Sequence, residues 1–295
     1  MHINEEEIRR KMAERAVQLP DGAKVPPLGQ GTWYIGENKR TWAEEIRTLQ
    51  RGIELGMTLI DTAEMYGDGA SERLVGEAVK GMRDKVFIIS KVYPHNSGCG
   101  KIQEACEKSL RRLGTDYLDL YLLHWRGMVP LPEVIEGMEK LKREGKILRW
   151  GVSNFDTDDM RELLKYKDGE HCAVNQVLYH LGSRGIEYDL VPWQEQHKIP
   201  VMAYSPLAHG GKLRKELFTN PVVLEFAEKK GFDPLQIVLA WSIRKGNTIA
   251  IPKASKIGHA EKNAAAVLIE FTEEELERLD RAFPAPDRKV PLDIL

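Results

Sequence analysis

The chain has 295 residues, 42% of them apolar, with 43 basic and 45 acidic side chains and a net charge of −2. That length can bury a large core either as two ordinary domains or as one closed α/β barrel. Balanced charge with no basic stripe of interleaved aromatics excludes a nucleic-acid footprint, and no apolar run is long enough to span a bilayer.

The opening Met1-His2-Ile3-Asn4-Glu5-Glu6-Glu7 has neither a basic nor an apolar targeting region, so a cytoplasmic protein is expected. Residues 1–16 read as a charged leader with a short helix through Ile8 and Met12. Next, Val17-Gln18-Leu19 and Lys24-Val25 flank Pro20-Asp21-Gly22, a good hairpin turn, and such a hairpin could plug one end of a barrel. Eight apolar runs bounded by turn signals follow, at 28–32, 58–61, 86–91, 118–124, 147–152, 173–178, 201–204 and 248–251. Helical periodicity follows them, most clearly at 41–55, 71–80, 102–113, 131–144 and 233–244, the last with Pro234 at its first helical position. No Pro/Gly/Ser-rich linker interrupts the alternation, so residues 17–295 read as a single (β/α)8 TIM-barrel domain rather than an open doubly wound sheet. Gly29-Gln30-Gly31 lacks the third glycine of a dinucleotide fingerprint and does not open into a helix, which disfavours a Rossmann fold. Cys99, Cys106 and Cys172 form no Cys-x-x-Cys pair, and reduced thiols are expected.

Three of the runs end in a polar residue and follow one another at about thirty residues, one strand-plus-helix interval. Leu59-Ile60-Asp61, Ile88-Ile89-Ser90-Lys91 and Leu122-Leu123-His124 therefore deliver an acid, an amine and an imidazole to the carboxyl ends of strands, where parallel barrels do their chemistry. Tyr66, five residues beyond Asp61, brings a phenol to the same mouth. Singly, each has a bland reading: Asp61 capping a turn, Lys91 a solvated charge, His124 a core histidine, Tyr66 loop packing. Together they form a set in which Asp61 partners Lys91, and that pair is expected to depress the Tyr66 pKa and make the phenol a proton donor. No His-x-His, Glu-x-x-His or Cys cluster marks these strand ends for a metal. Activation by a proton points to carbonyl reduction. A Schiff base on Lys91, and hence isomerase chemistry, is the alternative within the residues themselves.

From about Leu28 to Asn263 the sequence resembles the aldo-keto reductase family. The likeness is carried by Asp61-Thr62-Ala63-Glu64-Met65-Tyr66-Gly67, Ile89-Ser90-Lys91, Leu122-Leu123-His124, Gly151-Val152-Ser153-Asn154-Phe155 and Ile251-Pro252-Lys253-Ala254-Ser255. The stretch Gly29-Gln30-Gly31-Thr32-Trp33-Tyr34 is most similar to the bacterial branch that includes methylglyoxal reductases.

The resemblance implies a barrel that reduces aldehydes and ketones with a nicotinamide cofactor extended across its mouth. Tyr66 would be the general acid, Lys91 its modulator, Asp61 the carboxylate holding Lys91, and His124 the group orienting the substrate oxygen. Gly31, Thr32 and Trp33 would lie beside the cofactor, with Ser153, Asn154 and Gln176 on its carboxamide and Tyr204 stacked on the nicotinamide ring. The loop from Ser205 through Leu207 to Gly211 and Leu213 would follow the pyrophosphate. Lys253, Ser255, His259 and Asn263 would surround the adenosine end. Trp33, Tyr34, Tyr93 and Trp125 would wall the substrate. Without the resemblance, Ser153-Asn154 reads as the N-cap of a helix over 156–165. Ala254 and His259 stand where NADPH-preferring members commonly have Ser and Arg, so NADPH is expected with NADH also usable. A cofactor-sensing binding subunit of the same superfamily is the non-enzymatic alternative.

Overall fold

Side chains alternate across a strand with a period of two, and in this chain that period sorts each strand into an interior and an exterior face. The computed structural model describes residues 4–295; the first three residues of the charged leader lie outside them. Helix α1 (Glu5–Glu14) is capped by Asn4 and docks through buried Ile8 and Met12. The hairpin β1 (Val17–Gln18) and β2 (Lys24–Val25) follows, turning at Gly22 with φ +89°.

The barrel then alternates β3 (Gln30–Gly31), α2 (Trp42–Glu54), β4 (Leu59–Asp61), α3 (Ala70–Ala78), β5 (Phe87–Val92), α4 (Lys101–Leu113), β6 (Leu120–Leu123) and α5 (Leu131–Arg143). It continues with β7 (Trp150–Ser153), α6 (Thr157–Leu163), β8 (Cys172–Leu178), α7 (Leu190–Gln196) and β9 (Val201–Tyr204). Last come α8 (Gly211–Thr219), α9 (Pro221–Lys230), α10 (Pro234–Ser242), β10 (Thr248–Ala250), α11 (Ile257–Ala265) and α12 (Glu273–Ala282).

Strands β3 to β10 pair in sequence order and in parallel. The ring closes through parallel bridges from Leu28 to Ala250 and from Gly31 to Lys253. The first strand is shorter than the 28–32 run: Leu28 joins the sheet only through an isolated bridge to Ala250, and at the other end the Thr32 amide and hydroxyl both donate to Asp61 O, at 3.0 and 2.9 Å. The helices α8, α9 and α12 were not among the clear periodic stretches. For α8 the cause is visible, since its single buried residue is Leu217 and it carries no apolar stripe.

Inside the barrel, Leu59, Ile89, Leu120, Leu122, Val174, Met202, Ile249 and Ile251 form one apolar cluster with Val17, Leu19 and Val25 of the hairpin, which fills the bottom as anticipated. One pleat higher on the same faces stand Asp61, Lys91, His124 and Gln176. The polar site thus sits on an apolar floor. Odd-phase residues such as Ile60, Ile88, Tyr121 and Val152 face the helices in the larger core. No helix among the described residues is long and apolar enough to cross a membrane.

Gly29 is where the closing seam is tightest, since a Cβ there would meet Leu59 Cδ2 at 2.5 Å and Leu59 O at 2.9 Å. Backbone on one side cannot yield as a flexible side chain would. Gly29→Ala is expected to lower unfolding stability by about 1–3 kcal/mol, the usual penalty for overpacking, measured as a reduced urea midpoint at unchanged m. An unaltered midpoint would show that the seam has slack.

Candidate active site

Lys91 projects from β5 into the barrel axis and is fully buried. Its Nζ donates to Asp61 Oδ2 at 2.7 Å, to Thr62 O at 3.0 Å and to Tyr66 Oη at 3.1 Å. An ammonium has three N–H groups, so all are engaged. The phenol oxygen of Tyr66 is an acceptor in that set, which leaves its own O–H directed to the cleft the ring lines. Asp61 Oδ1 accepts in turn from Gln176 Nε2 at 2.8 Å, and the second amide N–H of Gln176 meets Met202 Sδ at 3.0 Å. Only the Gln176 carbonyl oxygen stays free.

Local chemistry positions Tyr66. Thr62 Oγ1 donates to Ser71 Oγ at 3.0 Å, and Ser71 Oγ to Thr32 Oγ1 at 2.6 Å, stitching the ends of β3 and β4 to α3. Between them, Gly67, Asp68 and Gly69 all have positive φ, so the chain past Tyr66 doubles back tightly into α3.

Electrostatics correct one expectation. Burial, the largest effect, raises the Tyr66 pKa above its ordinary value; Lys91 pulls it down, Asp61 pushes it up again, and the balance is upward rather than depressed. The physical reason is that Asp61 and Lys91 neutralise one another, so a phenol beside both feels a dipole, while desolvation of a phenolate remains whole. For Lys91, burial acts against the charge, but Asp61 and then Tyr66 outweigh it and hold the ammonium above the ordinary lysine value. His124 is pushed down to about 2 by burial and then by Lys91. Its imidazole is neutral. His124 Nδ1 is buried without a partner, and a bare lone pair is tolerated there better than an orphaned N–H, which assigns the proton to Nε2.

These groups open into a cleft of about 540 Å³ that runs from Tyr66 and His124 to Lys253, His259 and Asn263. It gathers Gly31, Thr32, Trp33, Tyr34, Trp125, Ser153, Asn154, Gln176, Tyr204, Ser205 and Leu207 on its walls. Among the described residues Asp61, already paired with Lys91, is the sole acidic side chain lining it, beside the C-terminal Leu295 and against Arg214, Lys253 and three histidines. A cleft with that charge fits a polyanionic dinucleotide.

Lys91 meets the cleft only through Asp61 and Tyr66, and four further residues expected at the site stand off its lining. Tyr93 packs edge-on against Trp125 with centroids 5.8 Å apart and so supports that wall from behind. Gly211 and Leu213 belong to α8, which begins where a loop was expected; Leu213 reaches toward Gly182 instead. Ser255 precedes α11, whereas His259 and Asn263, four apart on that helix, share the cleft-facing side. The N-cap reading of Ser153-Asn154 is also corrected: Asp156 caps α6 in a capping box with Asp159. Ser153 Oγ is thereby free to donate to Gln176 O at 2.8 Å, and Asn154, at φ +58°, accepts from Tyr204 Oη at 2.9 Å and donates to His124 O at 3.2 Å.

Sequence reasoning gave no role to Met65, Arg214, Leu235 and Leu295 on the cleft, and took in His209 and Gly210 only as part of the 205–211 loop. His209 stacks on Trp33 with centroids 5.0 Å apart, and Trp33 on Tyr34 at 4.7 Å. Nothing local in the sequence marks Arg214, Leu235 or Leu295, because the placement of the helix or tail that carries each is set by distant packing.

A model of the aldo/keto reductase family matches residues 27–283. Methylglyoxal reductase YeaE of Escherichia coli is 54% identical over 284 residues, which cover 96% of this chain and 100% of that protein. Glyoxal reductase of Bacillus subtilis is 34% identical, over 92% of this chain and 96% of its own length. An aldo/keto reductase from Klebsiella pneumoniae, solved in complex with NADP and acetate, superposes with a TM-score of 0.93 at 54% identity, covering 95% of this chain and 99% of that one.

The neutral His124 gives a pH test. Its folded value, about 2, lies below the ordinary 6.5, so its contribution is whole above about 6.5 and is lost as pH falls toward the folded value. Between pH 7 and pH 5 the wild type should lose on the order of 2 kcal/mol more unfolding stability than His124→Gln. Parallel urea titrations of the two proteins at both pH values check this, and coincident pH dependences would mean His124 is charged in the fold.

Proposed function

The chain belongs to the aldo/keto reductase family, and we propose that methylglyoxal and related small 2-oxoaldehydes are its substrates, reduced to alcohols with NADPH. The likeness to methylglyoxal and glyoxal reductases supports that substrate class. One observation carries the mechanism: Lys91 spends its third N–H on Tyr66 Oη, which orients the phenolic proton outward.

Bound NADPH supplies the hydride. The residues supply everything else. The carbonyl oxygen sits between the Tyr66 O–H and the His124 Nε2–H, which polarise it together. As the oxygen gains charge Tyr66 gives up its proton, and the phenolate left behind is held by the Lys91 ammonium, itself balanced by Asp61. The raised phenol pKa keeps the acid loaded throughout the neutral range. Trp33 and Trp125 present apolar faces that limit water at the reacting carbon. Ser153, Asn154 and the free Gln176 carbonyl hold the carboxamide, Tyr204 stacks on the nicotinamide, and Lys253, His259 and Asn263 take the adenosine phosphate end. A Lys91 Schiff base is disfavoured, since an amine with three engaged N–H groups and a raised pKa has no lone pair to offer.

Tyr66→Phe should bind NADPH with wild-type affinity by fluorescence titration while kcat for methylglyoxal drops by roughly 10²–10⁴-fold. Retention of more than about a tenth of turnover, with chemistry limiting, would assign the acid elsewhere. The cofactor preference is tested separately. His259 offers one donor where an arginine fork would offer several, so His259→Arg should sharpen the NADPH/NADH ratio of kcat/KM by about 1–2 kcal/mol. An unchanged ratio would place the 2′-phosphate away from α11.

A further inference from the structure

We propose, resting on the 2-oxoaldehyde reading above, that Glu64 is a positioning residue: it stands off the cleft lining, yet by holding the segment after β5 it sets the Trp125 wall and with it the selectivity for small substrates.

The chain leaving β4 keeps step with β5 after the strand has ended. Thr62 N–H donates to Ile89 O at 2.9 Å and Glu64 N–H to Lys91 O at 3.3 Å, so alternate residues still follow a parallel ladder. The next rung of such a ladder would join the Tyr93 N–H to the Glu64 main-chain carbonyl. Here the Glu64 side chain takes that place, its Oε1 accepting from Tyr93 N–H at 2.7 Å and from Asn96 Nδ2 at 3.1 Å. A carboxylate that accepts two N–H groups is a stronger tie than a neutral carbonyl. The sheet is thus extended one step by a side chain, while the main chain turns away toward Tyr66, where Tyr66 N–H meets Ala63 O at 3.1 Å.

What Glu64 holds leads back to the reacting carbonyl. Tyr93 packs edge-on to Trp125, Trp125 lies against His124 with centroids 5.0 Å apart, and His124 meets the Tyr66 ring at 5.9 Å. Glu64 and Tyr66 share one short loop, so these contacts close into a ring around the substrate end of the cleft, with the Tyr93 to Glu64 hydrogen bond as its polar link. The same segment carries the loop after β6: a Cβ on Gly127 would meet Pro94 Cβ at 2.4 Å, so the chain past Trp125 rests on Pro94. On its other side that chain is tied by Arg126, which donates to both oxygens of Glu162 at 2.9 and 3.0 Å.

Trp125 needs both ties. Its ring is 38% exposed and has little packing of its own to keep it in one place. A wall that orients a small substrate tolerates little drift, whereas a larger aldehyde makes contacts elsewhere and depends on it less. Releasing the Glu64 tie therefore costs small substrates most.

The test is steady-state kinetics of the full chain with NADPH and two 2-oxoaldehydes, methylglyoxal and the bulkier phenylglyoxal. Glu64→Ala should raise KM for methylglyoxal by about 10-fold while kcat stays within about two-fold of wild type. The rise for phenylglyoxal should be smaller, so kcat/KM shifts toward the larger aldehyde, and NADPH affinity by fluorescence titration should not move. Glu64→Gln keeps an oxygen for the same two donors and should recover most of the loss. If Glu64→Ala does not fold, Asn96→Ala, which removes one donor from outside the Tyr66 loop, should move KM and selectivity the same way by about 2–5-fold. Unchanged KM and selectivity in the folded variants overturn the proposal. So does a fall in kcat at constant KM, which would place the effect on the Tyr66 acid, and so does a loss shared equally by both aldehydes or by NADPH, which would place it in the fold at large. A wild-type chain that reduces neither aldehyde would instead overturn the 2-oxoaldehyde reading.

Discussion

A fully buried ammonium 2.7 Å from a buried carboxylate is the constraint around which the mouth of this barrel is organised. Neither charge could stay there alone, because an uncompensated buried ion costs several kcal/mol, and removing one partner of such a pair typically destabilises by about 3–5 kcal/mol. The pair is made tolerable by completeness. Lys91 spends each of its three N–H groups, and Asp61 receives Gln176 on the oxygen that Lys91 leaves free. Tyr66 is drawn into the set as the third acceptor. The acid role proposed for it is then a consequence of satisfying a lysine.

The same completeness explains why the phenol stays protonated. A lone cation beside Tyr66 would favour the phenolate, but a cation already neutralised by Asp61 exerts only the residue of its field, and burial decides the direction. In the proposed mechanism, stabilisation by Lys91 would be held back until charge develops on the phenol oxygen, which is when a general acid benefits from it. His124 is governed likewise: burial and the Lys91 charge keep the imidazole neutral, so in the proposed mechanism it would polarise the carbonyl without competing as a proton source.

Scaffold and cleft divide the work. Asp61, Lys91 and Gln176 stand on strands whose lower residues, such as Leu59, Ile89 and Val174, are locked into the apolar interior with the hairpin. Rigid placement suits chemistry that tolerates little misalignment. The part of the cleft proposed to take the dinucleotide is built instead from loop and helix-start residues, among them Ser205, Ala208 and Gly210 in left-handed conformations, with His209 stacked back onto Trp33. Segments of that kind can open for a large ligand and close on it.

Much of this was legible in the chain itself. Strand phase is local, so Leu59-Ile60-Asp61 and Ile89-Ser90-Lys91 already state that Asp61 and Lys91 point where Leu59 and Ile89 point, into the interior and one step nearer the mouth. The Pro20-Asp21-Gly22 turn made the plugging hairpin readable, and the motif segments placed Tyr66, His124, Asn154 and Lys253 on one opening. What the tertiary structure alone decided has a common physical character: each item depends on groups far apart in sequence. The sign of the Tyr66 pKa shift required the desolvation made by the whole mouth. The choice of Asp156 over Ser153-Asn154 as helix cap depended on Gln176 and Tyr204 claiming the latter two. Tyr93 fell behind Trp125, and Arg214 turned inward from a helix with no apolar stripe, because the surfaces that direct them come from other parts of the barrel. Periodicity encodes which face a residue takes on its own element; the neighbours waiting at that face, and hence its charge and hydrogen bonds, exist only once the chain has closed.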